Sequence, residues 1–377
     1  MLFELPPMTD RELGVIEEVE GLRKHLRLQL FEPRRWLGSL RRLSFARAIQ
    51  GSNSIEGYSA ALDDVAATAV GEEPLDAEME TRLALRGYRE SMTYVLQLAG
   101  ELDFEYSEQL LKSLQFMMTS YDLSARPGLW RSGAIYVHDQ GTGRIVYEGP
   151  GVDILPELMR ELVEGLNRPD PAPVLVRAGM AHLNLVMVHP FRDGNGRMAR
   201  CLQTLILARE GVLAPQFCSI EEYLGRNAEA YYAVLAGVGG GRWQPERDVR
   251  AWVRFIVTAH FRQAQTLLRR VRESEQLWTE LEGLVAERAL PERVIPALFD
   301  AALGLRIRNA TYRALDEGVS EQTAGRDLRL MADRGLLAPR GEKRGRYYVA
   351  ADELAAVWVA IRSGRDARPT SDPFEDD

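Results

Sequence analysis

Cysteine is almost absent: Cys201 and Cys218 are the only two in 377 residues. Neither stands in metal-ligand spacing, so a disulfide scaffold and a cysteine-built zinc site are excluded, and a reducing compartment fits. Long apolar runs are also missing. The most apolar window, Val174 to Phe191, is interrupted by Arg177, His182, Asn184 and His189 and reads as a buried helix, not a bilayer span. The start, MLFELPPMTDREL, has no basic segment followed by an apolar stretch, so no secretory signal is visible. Nor is there an excess of positive charge. Lys plus Arg total 47 against 55 Asp plus Glu, a net charge of −8, which argues against a nucleic-acid coat or a membrane-surface binder but leaves room for a local basic patch. No glycine-rich loop ends in Lys-Ser or Lys-Thr, and Gly239-Gly240-Gly241 has no lysine behind it. What is present is 46% apolar and 27% charged residues, enough for a real core in one to three domains. The expectation is a soluble, cytoplasmic protein without internal repeats.

The spacing predicts a mostly helical chain. From Asp10 to about Leu98 apolar residues recur every three or four positions, with Leu13, Ile16, Val19 and Leu22 as one stripe. The basic run Arg23 to Arg47, with Arg34, Arg35, Arg41 and Arg42, reads as a solvated helix face. Ser107 can cap a helix over Ser107–Thr119 whose Leu110, Leu111 and Leu114 face inward. The rhythm then changes. Ile135, Tyr136 and Val137, then Ile145, Val146 and Tyr147, flank Asp139-Gln140-Gly141-Thr142-Gly143, which predicts a β-hairpin over 134–148 inserted among helices.

Chemistry concentrates in His189-Pro190-Phe191-Arg192-Asp193-Gly194-Asn195-Gly196-Arg197-Met198-Ala199-Arg200. Read physically, it is a loop entering a helix. Gly194 and Gly196 permit a tight turn and close backbone approach, and free amides at the helix start, with Asn195 beside them, cradle phosphate oxygens. Arg197 and Arg200 share a helix face and can grip one polyphosphate. Asp193 is the hard oxygen ligand that magnesium takes beside substrate phosphates, and His189 suits a general base acting on an attacking hydroxyl. Together these groups make a phosphoryl- or nucleotidyl-transfer site.

The stretch resembles, at every specified position, the signature of the Fic (filamentation induced by cAMP) family, whose members transfer AMP from ATP onto a protein hydroxyl. The resemblance implies a mostly α fold, a Fic helical core with a β-hairpin flap, and roles residue by residue. His189 would be the base and Asp193 the ligand of Mg2+, with Mn2+ as a substitute. Gly194 would belong to the nucleotide cradle, Asn195 and Gly196 would hold the α- and β-phosphates, Arg197 the β-phosphate and Arg200 the γ-phosphate. Tyr231 and Tyr232 would contact the adenosine. The flap residues Ile135, Tyr136, Val137, Ile145, Val146 and Tyr147 would dock the target by strand addition. Upstream, Ser52-Asn53-Ser54-Ile55-Glu56-Gly57 matches the family's inhibitory motif, so Glu56, with Ser52 on the same helix face and Gly57 behind, would pair with Arg200 and remove the γ-phosphate clamp.

The expected division is an N-terminal helical region over 1–100, a catalytic core over 101–262, a connector helix over 263–289, a winged helix-turn-helix over 290–352, and a C-terminal helix end with a disordered acidic tail over 353–377. The stretch from Val319 to Leu337 reads as two short helices joined by a turn, followed by a tip from Arg340 to Arg346 and the strand Tyr347-Tyr348-Val349. Residues 290–350 carry a net charge of +3, so DNA is one partner class for this module. The long helix suggests a homodimer. The leading reading is an autoinhibited protein adenylyltransferase acting on a Ser, Thr or Tyr of a target and on itself. Three alternatives stay open: a two-way enzyme in which Glu56 also serves AMP removal, a DNA-binding regulator with a nucleotide-sensing core, and transfer of another nucleotide or of phosphocholine.

Overall fold

The computed structural model describes residues 1–377 except 139–140, 212, 316–317, 343–344, 365–371 and 375–377. Helix α1 (Asp10–Phe31) begins at a capping box: the Thr9 side chain accepts from the Glu12 amide and the Glu12 carboxylate accepts from the Thr9 amide. Its buried side is Val15, Ile16, Val19 and Leu26 with Glu12 and Arg23. The expected stripe is thus rotated. Leu13 is exposed, and Glu12 takes the inward place because Arg250 and Arg254 meet its carboxylate.

Helices α2 (Leu37–Ile55), α3 (Leu62–Ala69) and α4 (Met79–Leu98) complete the N-terminal region. The run from Arg23 to Arg47 is not one solvated face. Arg34, Arg35 and Arg41 reach solvent, but Arg23 is buried, Arg42 pairs with Asp300 and Arg47 faces Glu222. Those acidic partners lie hundreds of residues away, and local spacing carries no trace of them. Helix α5 (Glu108–Thr119) starts as expected, with the Ser107 hydroxyl accepting from the Leu110 amide.

Strands β1 (Tyr136–His138) and β2 (Ile145–Glu148) form the antiparallel hairpin, with Tyr136 opposite Glu148 and Val137 opposite Tyr147. Its turn residues Asp139 and Gln140 lie outside the described residues. Next come α6 (Leu155–Asn167), α7 (Val174–Val188) and α8 (Asn195–Arg209). Nearly every side chain of α7 and α8 is buried, so this helix pair is the centre of the core and anchors both ends of its connecting loop. After α9 (Pro215–Cys218), α10 (Glu221–Arg226) and α11 (Ala228–Gly239), helix α12 (Arg250–Glu287) runs 38 residues without a break. The division expected at 262/263 therefore falls inside one helix, whose apolar face continues from Trp252 to Val285.

The C-terminal part is α13 (Ile295–Ala302), α14 (Asn309–Leu315), α15 (Glu321–Asp333), the antiparallel pair β3 (Leu337–Arg340) and β4 (Tyr347–Ala350), and α16 (Asp352–Ser363). Residues 321–333 form one helix capped by Ser320, and its partner is α14 upstream, so the two short helices expected within Val319–Leu337 are displaced. Part of the wing tip, residues 343–344, lies outside the described residues, as do 365–371 and 375–377 of the expected disordered tail. Within that tail Phe374 is only 7% exposed, with the Arg254 guanidinium 5.3 Å from its ring. A buried aromatic ring offsets the ordering entropy that an acidic composition alone would not. Among the described residues, ion pairs join the C-terminal part to the N-terminal region at Arg35 with Glu292, Arg42 on α2 with Asp300 on α13, and Arg306 with Asp63, Asp64 and Asp76. No helix among the described residues is long and apolar enough to cross a membrane.

Candidate active site

The loop between α7 and α8 builds the site. His189 caps the C-terminus of α7 in a left-handed conformation, φ 51°. Its Nδ1 lies 2.9 Å from the Val186 carbonyl oxygen. A carbonyl only accepts, so Nδ1 carries the proton and Nε2 keeps its lone pair. Burial pushes the imidazole pKa below its ordinary value, which keeps Nε2 unprotonated at neutral pH.

Helix α8 supplies the anion cradle. Gly194 precedes it at φ 80°, in a place where a Cβ would meet Thr119 Cγ2. The first intrahelical bond is from the Met198 amide to the Gly194 carbonyl, which leaves the amides of Asn195, Gly196 and Arg197 ahead of the ladder. The Asn195 side chain does not face a ligand. It accepts from the Phe191 amide and donates to the Phe191 carbonyl, both at 2.9 Å, and so fixes the loop while its backbone joins the cradle. Arg197 and Arg200 are each 1% exposed. Arg197 donates to Asp193 Oδ2 at 3.1 Å and to the Tyr121 hydroxyl at 3.3 Å, and packs 5.2 Å from the Tyr58 ring.

Glu56 ends α2 and reaches this cradle. Arg200 Nη2 lies 2.6 Å from Glu56 Oε1 and 2.9 Å from the Ser52 carbonyl, and Nε donates to the Ser52 hydroxyl at 2.8 Å. Burial by itself would raise the Glu56 pKa, yet the Arg200 and Arg197 guanidiniums hold it below the usual carboxylate range. A Cβ on Gly196 would collide with this carboxylate. Ser52, Glu56 and Arg200 are thus brought together, and Gly57 follows at φ 89° where the chain turns off the helix.

Residues 105–207, which hold this loop and helix, match the Fic/DOC family. The match is confined to that stretch of the 377-residue chain. Protein adenylyltransferase fic-1 of Caenorhabditis elegans is 37% identical over 117 residues, 29% of this chain and 21% of that protein. Protein adenylyltransferase Fic of Drosophila virilis is 30% identical over 189 residues, 47% of this chain and 34% of that protein. The chain therefore spans about a fifth to a third of the length of these relatives. A crystal structure of a Fic family protein from Desulfovibrio desulfuricans G20 covers 96% of this chain and 99% of its own, with a TM-score of 0.59 at 21% identity. Fic-1 (residues 134–508) from C. elegans covers 70% and 73%, with a TM-score of 0.55 at 22% identity. These structural likenesses speak for the fold.

Beside this loop a cavity of about 610 Å³ is walled by Tyr231 and Tyr232 of α11, Val137, Val146 and Tyr147 of the hairpin, and Met187 of α7, together with Glu56, His189, Gly196 and Arg200. Its lining is aromatic and aliphatic at the tyrosines, the hairpin and Met187, and charged at Glu56 and Arg200. The two tyrosines differ. Tyr231 is buried and bonded to His182 at 2.9 Å, whereas Tyr232 is exposed and donates to the Ile55 carbonyl at 2.8 Å, at the end of α2. Of the hairpin residues, Tyr136, Ile145 and Val146 are exposed, Tyr147 donates to the Met187 carbonyl at 2.9 Å, and Ile135 stands just ahead of β1.

Two positioning residues escaped the sequence reading. Arg131 donates from Nε to the His189 carbonyl at 2.9 Å and from Nη1 to the Gly133 carbonyl, and so ties the base to the root of the hairpin. Gln115 donates to the Asp193 carbonyl at 2.9 Å. Both act on backbone carbonyls across the fold, a role for which no local pattern exists. Among the described residues no group of three His, Cys, Asp or Glu side chains is placed to hold a metal ion.

Proposed function

We propose that this protein transfers AMP from ATP to a hydroxyl side chain of a protein target, and that Glu56 holds it inhibited. The target oxygen loses its proton to His189 Nε2 and attacks the α-phosphorus. The bond from that phosphorus to the bridging oxygen of the β-phosphate breaks, and pyrophosphate leaves. The α8 amides and Arg197 hold the charge that develops on the phosphates, and Arg200 clamps the γ-phosphate once Glu56 has released it. Asp193 is half-exposed and offers one hard oxygen, which fits a magnesium or manganese ion that takes its other ligands from phosphate and water. Such an ion, when bound, neutralises phosphate charge. The exposed residues of the hairpin suit docking of an extended target segment by strand addition, the chain's own hydroxyls included.

The observation that carries this reading is the Arg200–Glu56 ion pair at 2.6 Å beside a base whose Nε2 is free. The chemistry is assembled, and one carboxylate occupies the clamp. Label transfer from α-labelled ATP tests it with the parent, Glu56→Gly, and Glu56→Gly with His189→Ala. Strong labelling by the first variant alone supports both the activity and the inhibition. A pre-modified target that loses its label in the parent and keeps it in Glu56→Gly would add AMP removal to the activities of the same site.

A second reading rests on the C-terminal part, which we take as a winged helix-turn-helix over 290–352. Arg326 and Arg329 on α15 are exposed, as are Arg340 and Arg346 of the wing. Silence of every Glu56 form with ATP and other nucleotides, together with salt-sensitive duplex binding, would favour a DNA-binding regulator.

A further inference from the structure

A buried hydrogen-bonded chain runs from α1 to the wall of the cavity. Arg23 Nη2 on α1 meets His260 Nδ1 on α12 at 2.8 Å, and His260 Nε2 meets Gln203 Nε2 on α8 at 3.1 Å, with the amide oxygen on the far side. The other end of that amide meets His182 Nδ1 on α7 at 2.6 Å, and His182 Nε2 meets the Tyr231 hydroxyl on α11 at 2.9 Å. No member is more than 4% exposed, so the links must satisfy one another without water.

The donors and acceptors leave one consistent arrangement. Arg23 only donates, and it stays protonated at neutral pH although burial pulls it down to about 10. Burial keeps both imidazoles neutral, His182 at about 3 and His260 well below its ordinary value. A neutral imidazole has one N–H and one lone pair. His260 Nδ1 must therefore accept from Arg23, and its proton sits on Nε2. That proton goes to the Gln203 oxygen, the Gln203 NH2 donates to His182 Nδ1, and the His182 proton on Nε2 goes to the Tyr231 oxygen. As it stands, with Nε2 toward His260 and Oε1 toward His182, the amide would demand two lone pairs from His260, so this arrangement requires the amide to turn over, which its two nearly identical ends allow without steric cost.

We propose that Arg23 sets the direction of this chain and thereby makes Tyr231 a hydrogen-bond donor into the nucleotide cavity. The identity of the acceptor, a nucleotide oxygen, rests on the AMP-transfer reading above. The Tyr231 oxygen accepts from His182 and stands beside Arg200, another pure donor, so its own proton is left for the cavity. In the inhibited state Glu56 is the anion on that side. Arg23 is then a positioning residue, acting through four others on a ligand it never touches.

Nitrogen NMR on protein labelled at its five histidines reads the tautomers directly. The parent and Arg23→Lys should hold His182 and His260 in the Nε2–H form, and Arg23→Met should lose that single state at both. An Nδ1–H form at His182 in the parent overturns the proposal. Nucleotide affinity supplies the second readout. Arg23→Met should weaken ATP binding about fivefold, Arg23→Lys should restore it, and Arg23→Met added to Tyr231→Phe should cost nothing further. An additive loss would reduce Arg23 to a structural part and overturn the positioning role. A parent that binds no nucleotide sinks the AMP-transfer reading instead, and the tautomers still decide the direction of the chain.

Discussion

Cutting back Arg42 should destabilise the protein by an amount that depends on pH. Arg42 Nη2 lies 2.8 and 2.7 Å from the two oxygens of Asp300, which is 1% exposed. Burial raises the Asp300 pKa, Arg42 opposes that shift, and Asp63 adds to it. Arg42→Met keeps most of the stem packing and removes the compensating charge. Asp300 can then stay ionised without a partner, at roughly 3–5 kcal/mol, or take up a proton. Protonation costs about 1.4 kcal/mol for each pH unit above an ordinary carboxyl value of about 4, hence about 4 kcal/mol at pH 7 and about 1.5 kcal/mol at pH 5. The folded-state pKa lies above the unfolded one, so stability is complete below the unfolded value and is lost as pH rises. Urea unfolding of the parent and Arg42→Met at pH 5, 6 and 7 should show a gap that widens with pH, and adding Asp300→Asn should abolish the widening. A gap that is equal at pH 5 and 7, or below about 1 kcal/mol at pH 7, refutes the reasoning. Because Arg42 anchors α2, the helix that ends in Glu56, the same variant should raise basal AMP transfer.

Two further outcomes follow from the site. With Glu56→Gly, transfer should hold its plateau to a lower pH than an ordinary imidazole base would allow and then fall as pH passes through the depressed His189 value; an initial-rate profile checks this, and a midpoint at or above the ordinary imidazole value contradicts the reading. In the same background Arg131→Met should lower kcat about 100-fold and leave ATP affinity nearly unchanged, because Arg131 holds the His189 carbonyl and touches no part of the cradle.

The twelve residues from His189 to Arg200 were legible in the sequence because base, turn, helix start and both arginines are contiguous, and backbone geometry fixes their relation. The hairpin was legible from its composition, two β-branched and aromatic triplets flanking a glycine-rich turn. Glu56 was legible only through the resemblance, since the ion pair with Arg200 spans 144 positions. What local pattern could not carry was partner choice: Glu12 turned inward by Arg250 and Arg254, Arg42 claimed by Asp300, Phe374 folded back under Arg254. The expected break at 262/263 failed for a related reason. The apolar stripe of α12 changes neighbours along its length, and a change of neighbour leaves the helical period intact.

On the proposed AMP-transfer reading, the mode of inhibition follows from one missing side chain. Without a Cβ, Gly196 lets an anion approach the start of α8 closely, and the Glu56 carboxylate already uses that approach while it pairs with Arg200. A γ-phosphate needs the same guanidinium. Carboxylate and phosphate therefore compete for one anion site, and inhibition needs no distortion of the base, the loop or the metal ligand. The α- and β-phosphates can still rest on the free amides while Glu56 stays in place, so nucleotide binding and nucleotide transfer are separable here. A signal that moves α2 by the length of one hydrogen bond would convert the first into the second.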